Sequence, residues 1–170
     1  RQVMDIDLEK YILDISSPED EILAELYRKT HTSVVNPNMI SGHLQGRFLE
    51  MMIRMIKPLY VLEIGTYTGY AAICMAKALP AGGMVHTIEI NDELKDISLE
   101  YAVKAGVHDR IVFHTGDARQ IMKEMDPVFD FIFIDGDKRQ YTEYYERALD
   151  ILKSGGFILA DNALWDGKVI

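Results

Sequence analysis

The chain has 170 residues, 48% of them hydrophobic, which suffices for one compact domain with a sizeable core and is too little for two ordinary ones. Its formal net charge of −9 opposes any broad attraction to phosphate backbones or anionic lipid, and the basic clusters are short ones such as Lys138-Arg139. A single cysteine, Cys74, excludes an internal disulfide framework, and no run approaches the roughly 18 uninterrupted apolar residues of a membrane helix.

The chain begins at Arg1 with no basic segment followed by an apolar run, so a cytoplasmic protein without a membrane partner is expected. The first third reads as helices. Asp5 to Ile15 is a short amphipathic segment. Ser17-Pro18-Glu19-Asp20 is a helix start, with Ser17 as cap, Pro18 in the first turn and acids at the positive dipole end; that helix should end near Thr30. After the loop Ser33 to Asn38, Leu44, Phe48, Met51, Met52 and Met55 recur at helical spacing and Pro58 stops the pattern. Such a methionine stripe is read as core or subunit interface in preference to a ligand wall.

From Tyr60 the texture changes. Tyr60 to Ile64, Met84 to Ile90, Arg110 to His114, Phe129 to Ile134 and Gly156 to Ala160 have the length and bulk of buried strands. Helical patterns lie between them, near Tyr70 to Leu79, Asp92 to Ala105, Ala118 to Met125 and Arg139 to Lys153. Cys74, in an Ala-rich helical stretch, reads as a packed thiol. Strict alternation predicts a doubly wound α/β fold, Rossmann-like, with a parallel sheet and helices on both faces. The whole chain, 1–170, is read as a single domain, with 1–58 a helical cap and 59–170 the sheet-bearing core. Ligands of such sheets bind beyond the carboxyl ends of the strands.

The first strand ends in Glu63-Ile64-Gly65-Thr66-Tyr67-Thr68-Gly69-Tyr70. The two glycines permit a tight turn and close approach of a nucleotide-like ligand, and the helix that follows presents free amides. The pattern is not G-x-G-x-x-G, and Glu63 would repel a phosphate. A carboxylate there suits a cationic ligand, and the amino group and sulfonium of S-adenosylmethionine (SAM) both qualify. Glu89, ending the second strand, either accepts two ribose hydroxyls or helps to start the next helix; the matched Gly65 turn favours the ribose. After the third strand, Asp117 of Thr115-Gly116-Asp117-Ala118 either bonds an adenine amino group or caps a helix.

The fourth strand delivers Asp135-Gly136-Asp137-Lys138 and the fifth ends in Ala160-Asp161-Asn162-Ala163-Leu164-Trp165. Asp135, Asp161 and Asn162 make an all-oxygen set suited to a hard divalent cation, Mg²⁺ first, with Ca²⁺ or Mn²⁺ also compatible. No histidine falls at a strand end with ligand-like spacing, which disfavours zinc. Either acid alone would be read as a turn cap; both at adjacent strand ends favour a metal site.

Taken together, the segment from Glu63 to Tyr70, Asp135 to Lys138 with Tyr141 and Tyr144, and Asp161 to Trp165 with Gly167 resemble successive motifs of the caffeoyl-CoA and catechol O-methyltransferase family. The loop Asn36 to Ser41 with Gly46-Arg47-Phe48-Leu49 resembles that family's segment over the methionine end of SAM. The resemblance implies that Met39, Ser41, Glu63, Gly65, Thr66, Tyr67, Ala71, Glu89, Ala118, Asp135, Asp137 and Tyr144 surround SAM. It further implies that Asp135, Asp161 and Asn162 hold the metal, that Lys138 is the general base beside Asp135, and that the protein is a homodimer. Three departures stand out. Ala71 replaces a small hydroxyl residue, so a backbone amide would take over one bond. Glu89 stands where Asp is common. The family also continues past the equivalent of Ile170 with two further strands, so part of the acceptor pocket is expected to lie outside this sequence.

The implied reaction is methyl transfer from SAM to a hydroxyl of a small catechol-like aromatic acceptor. The metal lowers the hydroxyl pKa, Lys138 takes the proton, and the oxygen attacks the methyl group in line. A solvated Lys138 without a catalytic role is the plain alternative. The rival functions are methylation of a hydroxylated transfer-RNA base, which the acidic charge disfavours, and a SAM-binding module without turnover.

Overall fold

The computed structural model describes residues 6–126 and 128–163. Asp5, Leu164, Trp165 and Gly167, named above, lie outside the described residues. Three helices come first: α1 (Ile6–Ile15), α2 (Glu21–Ser33) and α3 (His43–Ile56). Strands and helices then alternate as β1 (Tyr60–Ile64), α4 (Tyr70–Ala78), β2 (Met84–Glu89), α5 (Lys95–Lys104), β3 (Ile111–Thr115), α6 (Ala118–Ile121), β4 (Phe129–Ile134), α7 (Tyr141–Ile151) and β5 (Leu152–Ala160).

The five strands form one parallel sheet in the order β3-β2-β1-β4-β5, the doubly wound architecture that the alternation predicts. The chain winds outward from β1 through β2 to β3 and then crosses back to β4 on the other side of β1. The gap between the ends of β1 and β4 is therefore the topological switch point. In register, Ile64 stands beside both Ile88 and Ile134, and Ile134 beside Ala160, so four strand ends open at one level.

Each face of the sheet carries its own core. Val61, Val85, Phe131 and Phe133 pack under α4, with Leu23 and Leu26 of α2 and Leu49 and Ile53 of α3 outside it. Leu62, Ile64, Ile88, Ile132 and Ile134 pack under Ala118, Met122, Tyr144, Ala148 and Ile151. Helix α4 is buried nearly all round, which its run of alanines allows. Cys74 is indeed a packed thiol, 1% exposed, and burial pushes its pKa far up. Gly46 lets α3 cross α4 closely: a Cβ there would lie 2.7 Å from Cys74 Sγ.

Several local expectations are corrected. Helix α2 is capped by Asp20, whose Oδ1 accepts the amides of Ile22 and Leu23, and not by Ser17; it runs to Ser33. The buried face of α3 is Gly46, Leu49, Glu50 and Ile53, while Phe48, Met51 and Met55 of the expected stripe are exposed. Glu50 survives on the inner face because Arg47 pairs with it at 2.8 Å. The helix expected from Asp92 opens with a 3-10 turn, and the one from Ala118 gives way to another after Ile121. Helix α7 begins at Tyr141, after a 3-10 turn at Lys138–Gln140, and β5 follows it at once from Leu152. Among the described residues, no helix is long and apolar enough to cross a membrane.

Candidate active site

A cleft of about 1200 Å³ opens at the carboxyl ends of the strands. It gathers Met39 and Ser41 from the loop before α3, then Gly65, Thr66, Tyr67 and Ala71 from the turn between β1 and α4. Glu89 comes from the end of β2 and Ala118 from the start of α6; Asp135, Asp137, Lys138 and Tyr144 come from the β4–α7 segment, and Asp161 and Asn162 from the end of β5. Of the residues expected around the ligand, Glu63 alone is not on the wall.

The Gly65 turn is shaped by a close approach. Gly65 has φ +102°, and a Cβ on it would lie 2.5 Å from the carbonyl oxygen of Asp135, so this crossing of the β1 and β4 ends admits only glycine. Tyr67, also at positive φ, donates its backbone amide to Glu89 Oε2 at 2.7 Å and its hydroxyl to the carbonyls of Val35 and Asn36. Gly69 begins α4 without a side-chain cap, so the first-turn amides, Ala71 among them, have no capping acceptor.

Glu89 stands at the cleft wall and accepts two backbone amides. Oε2 holds the amide of Tyr67 and Oε1 accepts that of Asn91 at 3.0 Å, while each oxygen keeps a further lone pair at the cleft wall. Asp117, in contrast, caps α6 through the amide of Arg119 and is gripped by the Arg119 guanidinium at 2.7 Å. Asp137 caps the turn at Lys138–Gln140 and pairs with Arg139 at 2.6 Å. The Tyr144 hydroxyl donates to Gln140 Oε1 at 2.6 Å, and its ring backs Gly136.

Asp135 and Lys138 are in contact, Nζ donating to Oδ1 at 3.0 Å. Burial raises the Asp135 carboxyl to about 6; Lys138 opposes this, the Asp161 carboxylate adds to it, and the Gln45 side chain opposes it. Lys138 Nζ also donates to the carbonyl of Asp161 at 3.1 Å and to the Tyr141 hydroxyl. That hydroxyl in turn points to the carbonyls of Ile134 and Asp161. Three oxygens thus converge on one cation, using every ammonium proton. Among the described residues no group of three His, Cys, Asp or Glu side chains has metal-holding geometry; the expected set has two acids and the amide of Asn162, which stands at φ +51°.

Sequence reasoning gave no role to Gln45, Thr87 or Tyr141. Tyr141 was visible as part of a motif, but Thr87 faces Glu63 only through strand register, and Gln45 reaches Asp135 only through the fold.

A family profile described as O-methyltransferase matches residues 13–170. The caffeoyl-CoA O-methyltransferase of Pinus taeda is 39% identical over 171 residues, which cover 96% of this chain and 66% of that protein. Caffeoyl-CoA O-methyltransferase 1 of Zea mays is 38% identical with the same coverage. The chain therefore spans just under two thirds of the length of these curated relatives. Among solved structures, the O-methyltransferase from Bacillus cereus in complex with SAH is similar with a TM-score of 0.90 at 32% identity, covering 96% of this chain and 76% of that one. TomG from Streptomyces achromogenes, an O-methyltransferase involved in tomaymycin synthesis and solved with SAM, has a TM-score of 0.89 at 29% identity, covering 96% and 74%. On the extent of these matches, the chain belongs to the O-methyltransferase family that includes the caffeoyl-CoA O-methyltransferases.

Proposed function

We propose that the protein binds SAM in the cleft and transfers its methyl group to a hydroxyl of a small catechol-like acceptor, with a divalent cation held by Asp135, Asp161 and Asn162. The observation that carries this reading is the meeting, at one switch point, of a nucleotide-type turn with an acid pair and a lysine. Gly65, Tyr67 and Glu89 form the first wall, and Asp135, Lys138 and Asp161 the second.

The donor set fits a hard cation. Its carboxylate and amide oxygens are of the type that Mg²⁺ takes, with Ca²⁺ and Mn²⁺ compatible, and the oxygens around Lys138 Nζ already converge on positive charge. When bound, such an ion lowers the pKa of an acceptor hydroxyl. Every other part of the chemistry belongs to the chain. The Glu89 carboxylate fixes the ribose, the Gly65 turn brings backbone close to the cofactor, and Ala71 offers an amide. Lys138, once it has shed a proton and turned its lone pair to the cleft, takes the hydroxyl proton. The oxygen then forms its bond to the methyl carbon as the sulfur–carbon bond breaks, leaving S-adenosylhomocysteine (SAH) and a methyl ether. Because opposite charges vanish in that step, the protein gains most by holding distance and angle and excluding water.

Methyl transfer to catechol with and without Mg²⁺, together with calorimetric SAM binding, tests the division of labour. Asp135→Ala should abolish metal-dependent transfer and weaken SAM binding, because the family resemblance implies that this carboxylate lies between metal and cofactor. Asp161→Ala should remove metal binding with much less effect on SAM. Equal losses of SAM affinity in both would reject this assignment.

A further inference from the structure

Glu63 lies behind the cleft wall, on the α4 side of β1, beside Thr87 of β2 and Phe133 of β4. It is 0% exposed. Among the described residues one donor reaches its carboxyl group, the Thr87 hydroxyl at Oε2, and Oε1 is buried without a partner. The charged groups acting on it are Asp135, at the end of β4, and Glu89, at the end of β2; the other titratable neighbour is the buried Cys74 thiol on α4. Among the described residues, an ionised carboxylate in that place meets one hydrogen-bond donor, two like charges and no cation. Burial lifts its pKa to about 8, Thr87 pulls it down, and Asp135 and Glu89 add to the rise.

Resting on the cofactor reading above, we propose that Glu63 holds a proton in the ligand-free protein, releases it when SAM brings its sulfonium cation into the cleft, and regains it once methyl transfer leaves the neutral sulfur of SAH. Thr87 and Thr66 supply the path. Thr66 lines the cleft, and its hydroxyl is bonded to that of Thr87 with either able to donate. With Glu63 protonated, Oε2 donates to Thr87 and Thr87 to Thr66. On release each group passes one proton along, Glu63 to Thr87, Thr87 to Thr66, and Thr66 to water in the cleft. The donors then point from Thr66 through Thr87 to the carboxylate, and one proton has reached solvent. The site thereby matches its charge to that of its ligand, favouring the cationic cofactor over its product more strongly as pH rises.

Calorimetric titration of SAM and of SAH into the metal-free chain near neutral pH, each in two buffers of different ionisation enthalpy, counts the protons. SAM should release up to about one proton more than SAH. SAM affinity should rise by up to about tenfold per pH unit below about pH 8, and SAH affinity less steeply. Glu63→Gln, which imitates the protonated acid, should remove both differences. Equal proton counts for the two ligands, or a difference that survives in Glu63→Gln, would overturn the proposal. A second readout needs no variant: the infrared carbonyl band of a buried protonated carboxyl group should be present in the ligand-free and SAH-bound chains and lost with SAM. Its persistence with SAM would equally overturn the proposal. Failure of both ligands to bind would instead remove the cofactor reading, and this proposal with it.

Discussion

Glu89 stands at the cleft wall with each carboxylate oxygen already holding a backbone amide, so its orientation is set before a ligand arrives. Replacing it by Gln turns a carboxamide NH2, itself a donor, toward one of those backbone N–H groups and removes the charge that strengthens a bond to hydroxyl donors. Glu89→Gln should weaken SAM binding by about 1–3 kcal/mol with little change in turnover of bound cofactor. Native affinity in calorimetry would leave Glu89 as a tie for Tyr67 alone. Glu63 makes a different residue-scale statement, about stability. Its folded pKa of about 8 lies above its ordinary 4.5, so the folded state binds the extra proton. Stability from this group is complete below about 4.5 and is lost as pH rises through about 8. Glu63→Gln should therefore show little gain near pH 5 and a growing one towards pH 8, read from urea unfolding midpoints across that range. A flat difference would mean that the carboxyl group is not protonated in the folded chain.

At the scale of elements, α2 shows how a helix start is chosen. Ser17 and Asp20 both have capping side chains, but Asp20 precedes the segment whose Leu23 and Leu26 reach the core, and it also pairs with Lys77 of α4. Packing fixes where the helix must begin, and the residue at that point becomes the cap. Asp20→Ala should cost about 1 kcal/mol from the cap, with at most about 1 kcal/mol more from the half-exposed ion pair. Asp20→Asn should recover the cap part in thermal unfolding, and a Ser17→Ala loss as large as that of Asp20→Ala would contradict this assignment. Helix α3 makes the matching point about faces. Two apolar stripes run along it, and the narrow one with Gly46 turns inward because only a bare backbone fits against Cys74 and Tyr70.

At the scale of the molecule, the outward stripe of α3 and the short helix α1 remain apolar and exposed, with Tyr11 at 60%, Ile15 at 66% and Met55 at 71%. Helix α1 has ten residues, too short to be stable by itself in water, so its apolar face calls for a cover. We propose a second copy of this chain as that cover, in a two-fold dimer. Helix α2 turns Leu23 and Leu26 into the core, so deleting the N-terminal third would damage the fold as well as any interface. Surface substitutions are the cleaner test. Tyr11→Glu with Ile15→Glu, or Met51→Glu with Met55→Glu, should convert dimers to monomers in light scattering while the thermal transition of the sheet stays cooperative. Unchanged dimers would locate the interface elsewhere, and a monomeric unaltered chain would reject it.

The sequence by itself determined the parallel sheet and the strand ends at which the chemistry gathers. Buried parallel strands must be near-continuous apolar runs, and the loops leaving their carboxyl ends are the places where Gly65, Glu89, Asp135 and Asp161 can stand without disturbing a core. Those features are local, so they were legible in the order of residues. What only the tertiary structure decided depends on register and crossing between segments far apart in the chain. Thr87 stands opposite Glu63 because β1 and β2 align as they do, and Lys138 is held by Tyr141 and the Asp161 carbonyl because β5 ends beside β4. The choice of Gly46 over the methionines as the inner face of α3, and of Asp20 over Ser17 as a cap, likewise follows from what each side chain meets across the core. Contacts of that kind leave no periodic trace in either segment, and they set the protonation and orientation of the groups that the strand ends bring together.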